Sequence, residues 1–345
     1  MITPGAQTRL RRRTFLQLAL AGSASGALAA CAPSPLISPD ETPHVQPTLD
    51  DARRQTAQAT ADLIALADGC AAIPGADPAF VSWCSALSAQ HGAHLTVLCQ
   101  ADPLGGVLAD PTPIEEITAG ELAIPGSQAE AAGALAAQET ALADLISALP
   151  TSAVGADADA GLAGSMALLW ISQLLCAQLA AQVLGSGDGS AFNRPVPVAG
   201  DAVPAKTEMG DLGAAEQVLL SQQRALVFGL QALYGRVDYL DPTADLLAAR
   251  LGEAMRERDA VAATIVASEA TPEPQPPEYT MPGDVTDATQ TALIWGALEV
   301  NVMNAWARLG AVDASSRTQA VQQGMAQAGR AGDRGVALSY WPGWV

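Results

Sequence analysis

Two histidines and one glutamate are the residues of this chain best suited to coordinate a metal ion. His91 and His94 are three residues apart, so both point to one side of a predicted helix. Glu139 lies on the apolar seam of a later helix at a comparable height. Two imidazoles and one carboxylate form a three-ligand site with an open position, which suits iron, zinc or manganese. The alternative is that the inward histidines only form hydrogen bonds, because the fourth helix supplies only Gln173 nearby.

A second polar group interrupts the apolar seams of the second half. Counting along antiparallel helices puts Gln223, Arg258 and Glu299 at nearly one height, with Met325 as the fourth member. A buried carboxylate needs a partner or must lose its charge, so we expect the Arg258 guanidinium to pair with Glu299 where a cation would otherwise lie. In the alternative, the helices are rotated slightly and both charges lie at the solvent edge. No histidine follows His94, so no di-iron site is expected in this half.

The cysteines beyond the N-terminal segment form an even-numbered set. In an oxidising compartment such a set can form disulfides. Their heights in the predicted helices make two bonds difficult without bending a helix, so we predict one bond involving Cys84. The alternative is that all four are small buried hydrophobic residues. The set is Cys70, Cys84, Cys99 and Cys176.

The first thirty residues have the order of an export signal peptide. They contain four arginines and no acidic residue, and the arginines precede a run of small apolar residues. Arg12 and Arg13, followed by Phe15 and Leu16, resemble the twin-arginine motif, which directs folded proteins to a dedicated translocase (Tat export). We therefore expect residues 1–30 to be removed from the mature protein.

A lipid anchor is predicted at Cys31. Residues 28–31 read Leu-Ala-Ala-Cys, the pattern of a bacterial lipobox. In lipoproteins with this pattern the cysteine becomes the first residue, and acyl chains such as palmitate attach it to the bilayer. Residues 31–47 are rich in proline and serine and predict a flexible tether. The motifs predict a lipoprotein on the extracytoplasmic face of the cell membrane; the alternative is an ordinary signal with an incidental cysteine.

Charge and composition restrict the partners and the fold. The net charge of −19 argues against nucleic acids and anionic lipid surfaces as partners. Aromatic residues make up only 4 % of the chain while 49 % is hydrophobic, and alanine is abundant, which favours closely packed helices over sheets. A chain of 345 residues exceeds the usual size of one domain, so two domains are expected.

Apolar periodicity and helix-boundary signals predict eight helices. Capping-box spacing joins Thr48 to Asp51 and Ser127 to Glu130. An aspartate followed by proline marks the start of the second and sixth helices, at residues 77–78 and 241–242. The predicted ranges are 48–71, 78–99, 127–149, 160–184, 213–237, 243–269, 287–309 and 315–337.

The connections between these helices repeat in the two halves. In each half a long Pro-rich stretch, residues 101–126 or 270–286, joins the second and third helices, and the other joints are short. One long crossover in the middle of four helices is the connectivity of ferritin-like bundles. The predicted fold is therefore all-α, with two tandem ferritin-like four-helix bundles at residues 48–184 and 213–345. Residues 185–212 form the predicted linker.

An uncharged segment between Asp159 and Asp188 is long enough to cross a bilayer. Polar residues such as Ser165, Ser172 and Gln173 interrupt it, and its apolar residues follow a 3.5-residue seam suited to a bundle interior. We predict a central buried helix; a membrane span is the alternative.

Four short motifs mark the second half of the chain. They are Leu-Val-Phe-Gly at 226–229, Glu-Arg-Asp-Ala at 257–260, Pro-Glu-Tyr-Thr-Met-Pro at 277–282 and Trp-Pro-Gly-Trp at 341–344. With these motifs residues 213–345 resemble a ferritin-like domain-of-unknown-function family of bacteria. The resemblance implies a fold and no established reaction. Where that family tends to show Glu-His, this chain has Gln223 and Arg224.

The sequence predicts a lipid-anchored cell-envelope protein whose role is not encoded in a known motif. We interpret it as a non-catalytic binding or scaffold module, because the second bundle lacks a metal-ligand set. The alternative is a metal-binding protein or oxidoreductase with its site in the N-terminal bundle. In a third interpretation the protein contacts an envelope protein partner through exposed aromatic residues at Tyr340, Trp341 and Trp344.

Overall fold

The computed structural model describes most of the chain after the predicted tether. The predicted signal peptide and tether, including Arg12, Arg13, Phe15, Leu16 and Cys31, lie outside the described residues. The described ranges are 48–106, 112–149, 160–186, 189–238 and 240–344.

Eight α-helices and two short 3-10 helices form the regular structure of these ranges. No strand occurs among the described residues, which confirms the all-α fold class. Each predicted helix is present, with ends shifted by at most four residues. The helices are α1 (Asp51–Ala71), α2 (Pro78–Leu98), α3 (Gln128–Ser147), α4 (Ala160–Gly185), α5 (Leu212–Tyr234), α6 (Pro242–Ala267), α7 (Thr291–Val312) and α8 (Arg317–Asp333).

Most helix starts follow the predicted caps. Asp77 and Asp241 each accept a hydrogen bond from the backbone N–H two residues later, and a proline follows at the first helical position. Ser127 caps α3 and also hydrogen-bonds the carboxylate three residues later, as the capping box predicts. The prediction for α1 is wrong, because Asp50 and not Thr48 accepts the capping hydrogen bond.

Helix α4 connects the helices of the two halves. In the first half α1 packs against α2 and α3, and α3 packs against α4; in the second half α5 packs against α6 and α7, and α7 packs against α8. Helix α4 packs in addition against α7 and α8. The described residues belong to one compact unit. The division into two tandem bundles therefore stays a prediction.

The uncharged segment forms the centre of this arrangement. Residues Gly164–Gly185 of α4 are, within the described ranges, the one helical stretch long and apolar enough to cross a bilayer. In the fold 78 % of that stretch is buried against protein. Burial on nearly all sides is typical of the core helix of a large bundle.

Candidate functional site

Two buried polar layers cross the apolar core, one in each half. The N-terminal polar layer consists of His91, Glu139 and Gln173. The C-terminal polar layer consists of Arg250, Glu257, Glu299 and Gln327, with Gln223 buried on the neighbouring helix α5. Both layers share one plan: a fully buried glutamate on the third helix, a base on the second and a buried amide on the fourth.

The centre of the C-terminal layer is the guanidinium of Arg250. Its Nε donates to Glu299 Oε1 at 2.8 Å and its Nη2 to Glu299 Oε2 at 3.1 Å. Its Nη1 and Nη2 also donate to the two oxygens of Glu257, at 3.2 and 2.9 Å. Gln327 Oε1 accepts from Nη2 at 3.2 Å, and Trp295 Nε1 donates to Glu299 Oε1 at 2.8 Å. Every nitrogen of the guanidinium is therefore bonded within the protein.

Electrostatics keeps this layer charged and paired. Burial by itself lowers the pKa of Arg250, but the hydrogen bonds and charge of Glu299, and then those of Glu257, outweigh it and raise that pKa above its usual value. At the edge of the layer, Arg330 lies 3.5 Å from Glu257 and 3.3 Å from Glu253. Bidentate bonds between a guanidinium and carboxylates fix geometry as well as charge. The layer is a completed structural ion-pair network.

The predicted partner of Glu299 was Arg258, and that prediction is wrong. Arg258 instead donates to Asp259 at 2.7 Å, with a quarter of its side chain exposed. Helix α6 keeps the predicted inward residues Leu247 and Ala254, but its inner face continues through Arg250. Helix α6 is rotated about its axis by roughly one residue position relative to the prediction, so Arg250 faces the core and Arg258 faces the solvent edge. For Arg258, this is the alternative that the sequence left open.

Two further residues of the predicted C-terminal layer have different roles. Met325 is only partly buried, and Gln327 takes its place as the member from the fourth helix. Gln223 is buried as predicted, with its Oε1 lacking a hydrogen-bond partner in the described part of the chain. Arg250 is three residues after the inward Leu247, and Arg258 is four residues after the inward Ala254. Both spacings place a side chain on the same helix face, so the sequence did not favour Arg250 over Arg258.

The N-terminal layer is less complete. His91 Nε2 and Glu139 Oε1 are 2.7 Å apart, and both side chains are almost fully buried. His91 Nδ1 and Glu139 Oε2 have no partner among the described residues. Both amide atoms of Gln173 are likewise unpartnered and buried. Buried polar atoms without protein partners are commonly satisfied by ordered water or an ion.

His94 does not join this layer, although it is equally buried. Its Nε2 lies 2.9 Å from the carbonyl oxygen of Tyr340, which can only accept, so Nε2 carries the proton. Burial, together with the charge of His91, lowers the pKa of His94 to about 3. The imidazole is therefore a neutral hydrogen-bond donor, and it contacts Trp341 with ring centroids 4.6 Å apart and ring planes tilted by 51°.

The three predicted metal ligands are thus not brought together. The structure joins His91 to Glu139 and directs His94 to a backbone carbonyl. Within the described ranges no group of three His, Cys, Asp or Glu residues is arranged to hold a metal ion. The sequence did not indicate the acceptor of His94, because a backbone carbonyl has no residue-type signal.

The predicted disulfide is also absent. Cys70, Cys84, Cys99 and Cys176 are all buried free thiols, so the prediction of a bond involving Cys84 is wrong. Burial raises the pKa of Cys84 to about 12. It also raises the pKa of Cys176, to which the nearby charge of Glu139 adds. These thiols behave as small buried hydrophobic residues, the alternative that the sequence left open.

The C-terminal aromatic residues pack inward. Trp341 is 3 % exposed and Trp344 is 6 % exposed, while Tyr340 is partly buried. The interpretation of these two tryptophans as an exposed partner surface is therefore wrong. Both tryptophans instead pack against their own fold, as terminal tryptophans commonly do.

An open groove lies away from both polar layers, between the ends of α4 and α8. Its volume is about 590 Å³, within the range of small-molecule sites. The charged residues lining it, Arg194 and Asp333, form an ion pair with each other. Gln182, Ser186 and Asn193 add polar groups to its wall.

The fold and the two layers define an all-helical protein with internally paired charges in its core. Residues 215–344 match the family model described as Domain of unknown function (DUF4439). The match supports the resemblance inferred from the motifs, covers most of α5 through the C-terminal residues, and leaves α1 to α4 outside. No curated protein and no solved structure matches the chain.

Proposed function

We propose that this protein is a lipid-anchored, non-catalytic binding or scaffold module on the outer face of the cell membrane. The observation that carries the proposal is the position of Arg250, whose guanidinium lies between Glu257 and Glu299. In a metal-binding bundle a cation would neutralise such carboxylates. Here the Arg250 side chain supplies the positive charge, so the C-terminal polar layer stabilises the fold instead of binding a metal ion.

Two tandem ferritin-like bundles, α1 to α4 and α5 to α8, are part of this proposal. Each set has its longest connection between its second and third helices, after Leu98 in one and after Ala267 in the other. Each set also has a buried glutamate on its third helix, paired with a base from its second. Matching connectivity and matching layers support an internal duplication with diverged chemistry.

Export through the twin-arginine route and acylation of Cys31 complete the proposal. In cell fractionation, Arg12→Lys with Arg13→Lys is expected to keep the precursor in the cytoplasm, whereas Arg9→Lys, the matched control in the same segment, is not. Cys31→Ser is expected to block acylation and release an exported product from the membrane fraction, with Ser34→Ala as control. Export of the twin-lysine variant at the native level would refute the route, and membrane retention of the Cys31 variant would refute the anchor.

The second candidate function is a metal-binding protein or oxidoreductase with its site in the N-terminal layer. The unpartnered His91 Nδ1 and Glu139 Oε2, both deeply buried, favour it. Elemental analysis of the purified full-length protein tests it. The scaffold proposal predicts substoichiometric iron, zinc and manganese. One equivalent of metal that disappears in His91→Ala but remains in the control His44→Ala would replace the scaffold proposal with the metal-binding one.

A further inference from the structure

The C-terminal tail, defined as residues 336–344, runs beside the connection between α4 and α5. Val198 N donates to the carbonyl oxygen of Leu338, and Tyr340 N donates to the carbonyl oxygen of Val198, both at 2.9 Å. This pair of bonds forms a short parallel bridge around Ser339. The tail is therefore fixed to a segment that precedes the family-matching residues.

Beyond the bridge the tail contacts the first four helices directly. The carbonyl oxygen of Tyr340 accepts from His94 of α2 at 2.9 Å and from Cys176 of α4 at 3.6 Å. The ring of Trp341 packs against the ring of His94 at a tilt of 51°. One dipeptide of the tail thus bonds to two helices of the N-terminal half, more than 160 residues earlier in the chain.

The end of the tail is wedged between α4 and α7. Gly343 N donates to Asn304 Oδ1 of α7 at 2.8 Å. Its φ angle is 89°, in the region that favours glycine, and an added Cβ would lie 2.6 Å from Leu168 of α4 and 3.0 Å from Ala307 of α7. A larger residue would strain the backbone and would have to displace the Leu168 side chain. Trp344 follows and belongs to the apolar core cluster that the first four helices share with α7 and α8.

We propose that the C-terminal tail is a lock that joins the two halves into one cooperative unit and so makes export competence depend on a docked tail. The tail contacts α2 and α4, which lie more than 160 residues earlier in the chain, and also α7. Helices α1 to α4 therefore lack part of their apolar core until the tail docks. The export consequence rests on the proposed twin-arginine route, whose translocase accepts folded proteins; the cooperativity does not depend on that route.

The first test measures cooperativity in the full precursor, made by cell-free synthesis without membranes so that no translocase can export it. Amide hydrogen exchange is compared between the native tail, Trp341→Ala and the exposed aromatic control Tyr234→Ala. We expect amides of α1 to α3 to exchange at least tenfold faster in Trp341→Ala, with the control unchanged. Unchanged exchange of α1 to α3 in Trp341→Ala would overturn the lock.

The second test measures export of the same tail variants behind two signals. With the native signal, Trp341→Ala and Gly343→Val are expected to leave most of the protein as cytoplasmic precursor, while Tyr234→Ala is exported normally. Behind a signal for the general secretory route, which threads unfolded chains, the tail variants should cross as well as the native sequence. Native-level export of a variant whose α1 to α3 exchange is accelerated would overturn the link to export.

Failure of the proposed route has a different outcome. If the Arg12→Lys, Arg13→Lys change leaves export of the native tail intact, the route is wrong whatever the tail variants do, and the hydrogen-exchange result then decides the lock alone.

Discussion

Arg250 donates hydrogen bonds to both carboxylate oxygens of Glu299, whereas His91 contacts only one carboxylate oxygen of Glu139. The difference follows from the bases, because a guanidinium has five N–H donors in a planar fork and an imidazole has two nitrogens. One third-helix glutamate is therefore fully satisfied, while the other keeps an unpartnered Oε2. The two halves each bury a glutamate on the third helix and pair it with a different base from the second helix.

Replacement of Arg250 tests whether its layer holds the second half together. Arg250→Met leaves Glu299 buried without its cation, so we expect a loss of about 3–5 kcal/mol of unfolding free energy in urea. Arg258→Met is the matched control on the same helix; its partner Asp259 is exposed, and its loss should be below about 1 kcal/mol. Similar losses in the two variants would show that the buried pairing is incorrect.

The sequence predicts the position of α6 but not which of Arg250 and Arg258 faces the core. Helix positions and the inward residues Leu247 and Ala254 follow from a period near 3.6, and the structure confirms them. Both arginines are compatible with that stripe, one on each flank. The choice depends on how α6 is rotated against its neighbours, which is decided by packing across several helices.

His94 illustrates a second limit. The sequence predicted that it points inward, and it does, but its partner is a backbone carbonyl 246 residues later. Every residue has a backbone carbonyl oxygen, so the sequence cannot indicate which of them accepts the hydrogen bond from His94. Only the path of the tail identifies the acceptor and separates His94 from its helix neighbour His91.

A double-mutant cycle measures the coupling inside the N-terminal layer. His91→Gln, Glu139→Gln and the double variant are expected to give a coupling free energy of about 1–3 kcal/mol, because the 2.7 Å contact is a hydrogen bond between two almost fully buried side chains. Lys206 and Asp102 form the control pair, which is half exposed and should couple by less than about 1 kcal/mol. Equal coupling in the two cycles would mean that the buried pair is not formed.

Acid sensitivity follows from the neutral state of His94. Its folded pKa of about 3 lies below the ordinary 6.5, so between these values the unfolded chain binds a proton that the folded chain does not. Stability from this group is complete above pH 6.5 and is lost as the pH falls, by about 1.4 kcal/mol per pH unit. Between pH 6.5 and 4.5 the loss is about 2 kcal/mol, because the unfolded histidine is already half protonated at pH 6.5.

The variant His94→Gln isolates that effect, since glutamine keeps an N–H donor and does not titrate in this range. Urea unfolding at several pH values should show a shallower fall in stability below pH 6 for His94→Gln than for the native protein. His44→Gln, outside the described residues, serves as the histidine control and should keep the native slope. Parallel curves for native and His94→Gln would mean that His94 takes up its proton in the folded state.

The close approach of residues 334–336 to α7 predicts that alanine destabilises the protein at Gly296 and stabilises it at Gly133. A Cβ at Gly296 would lie 2.4 Å from Val336 Cγ2 and 3.1 Å from Arg334 Cβ, and neither a β-branched chain nor a Cβ can turn away. At Gly133 nothing lies within 4 Å. Alanine is the better helix former by about 1 kcal/mol, so Gly133→Ala should stabilise the protein by up to that amount. Overpacking should reverse the sign in Gly296→Ala, with a loss of about 1–3 kcal/mol in urea unfolding. A gain in both variants would show that residues 334–336 do not pack on α7 in solution.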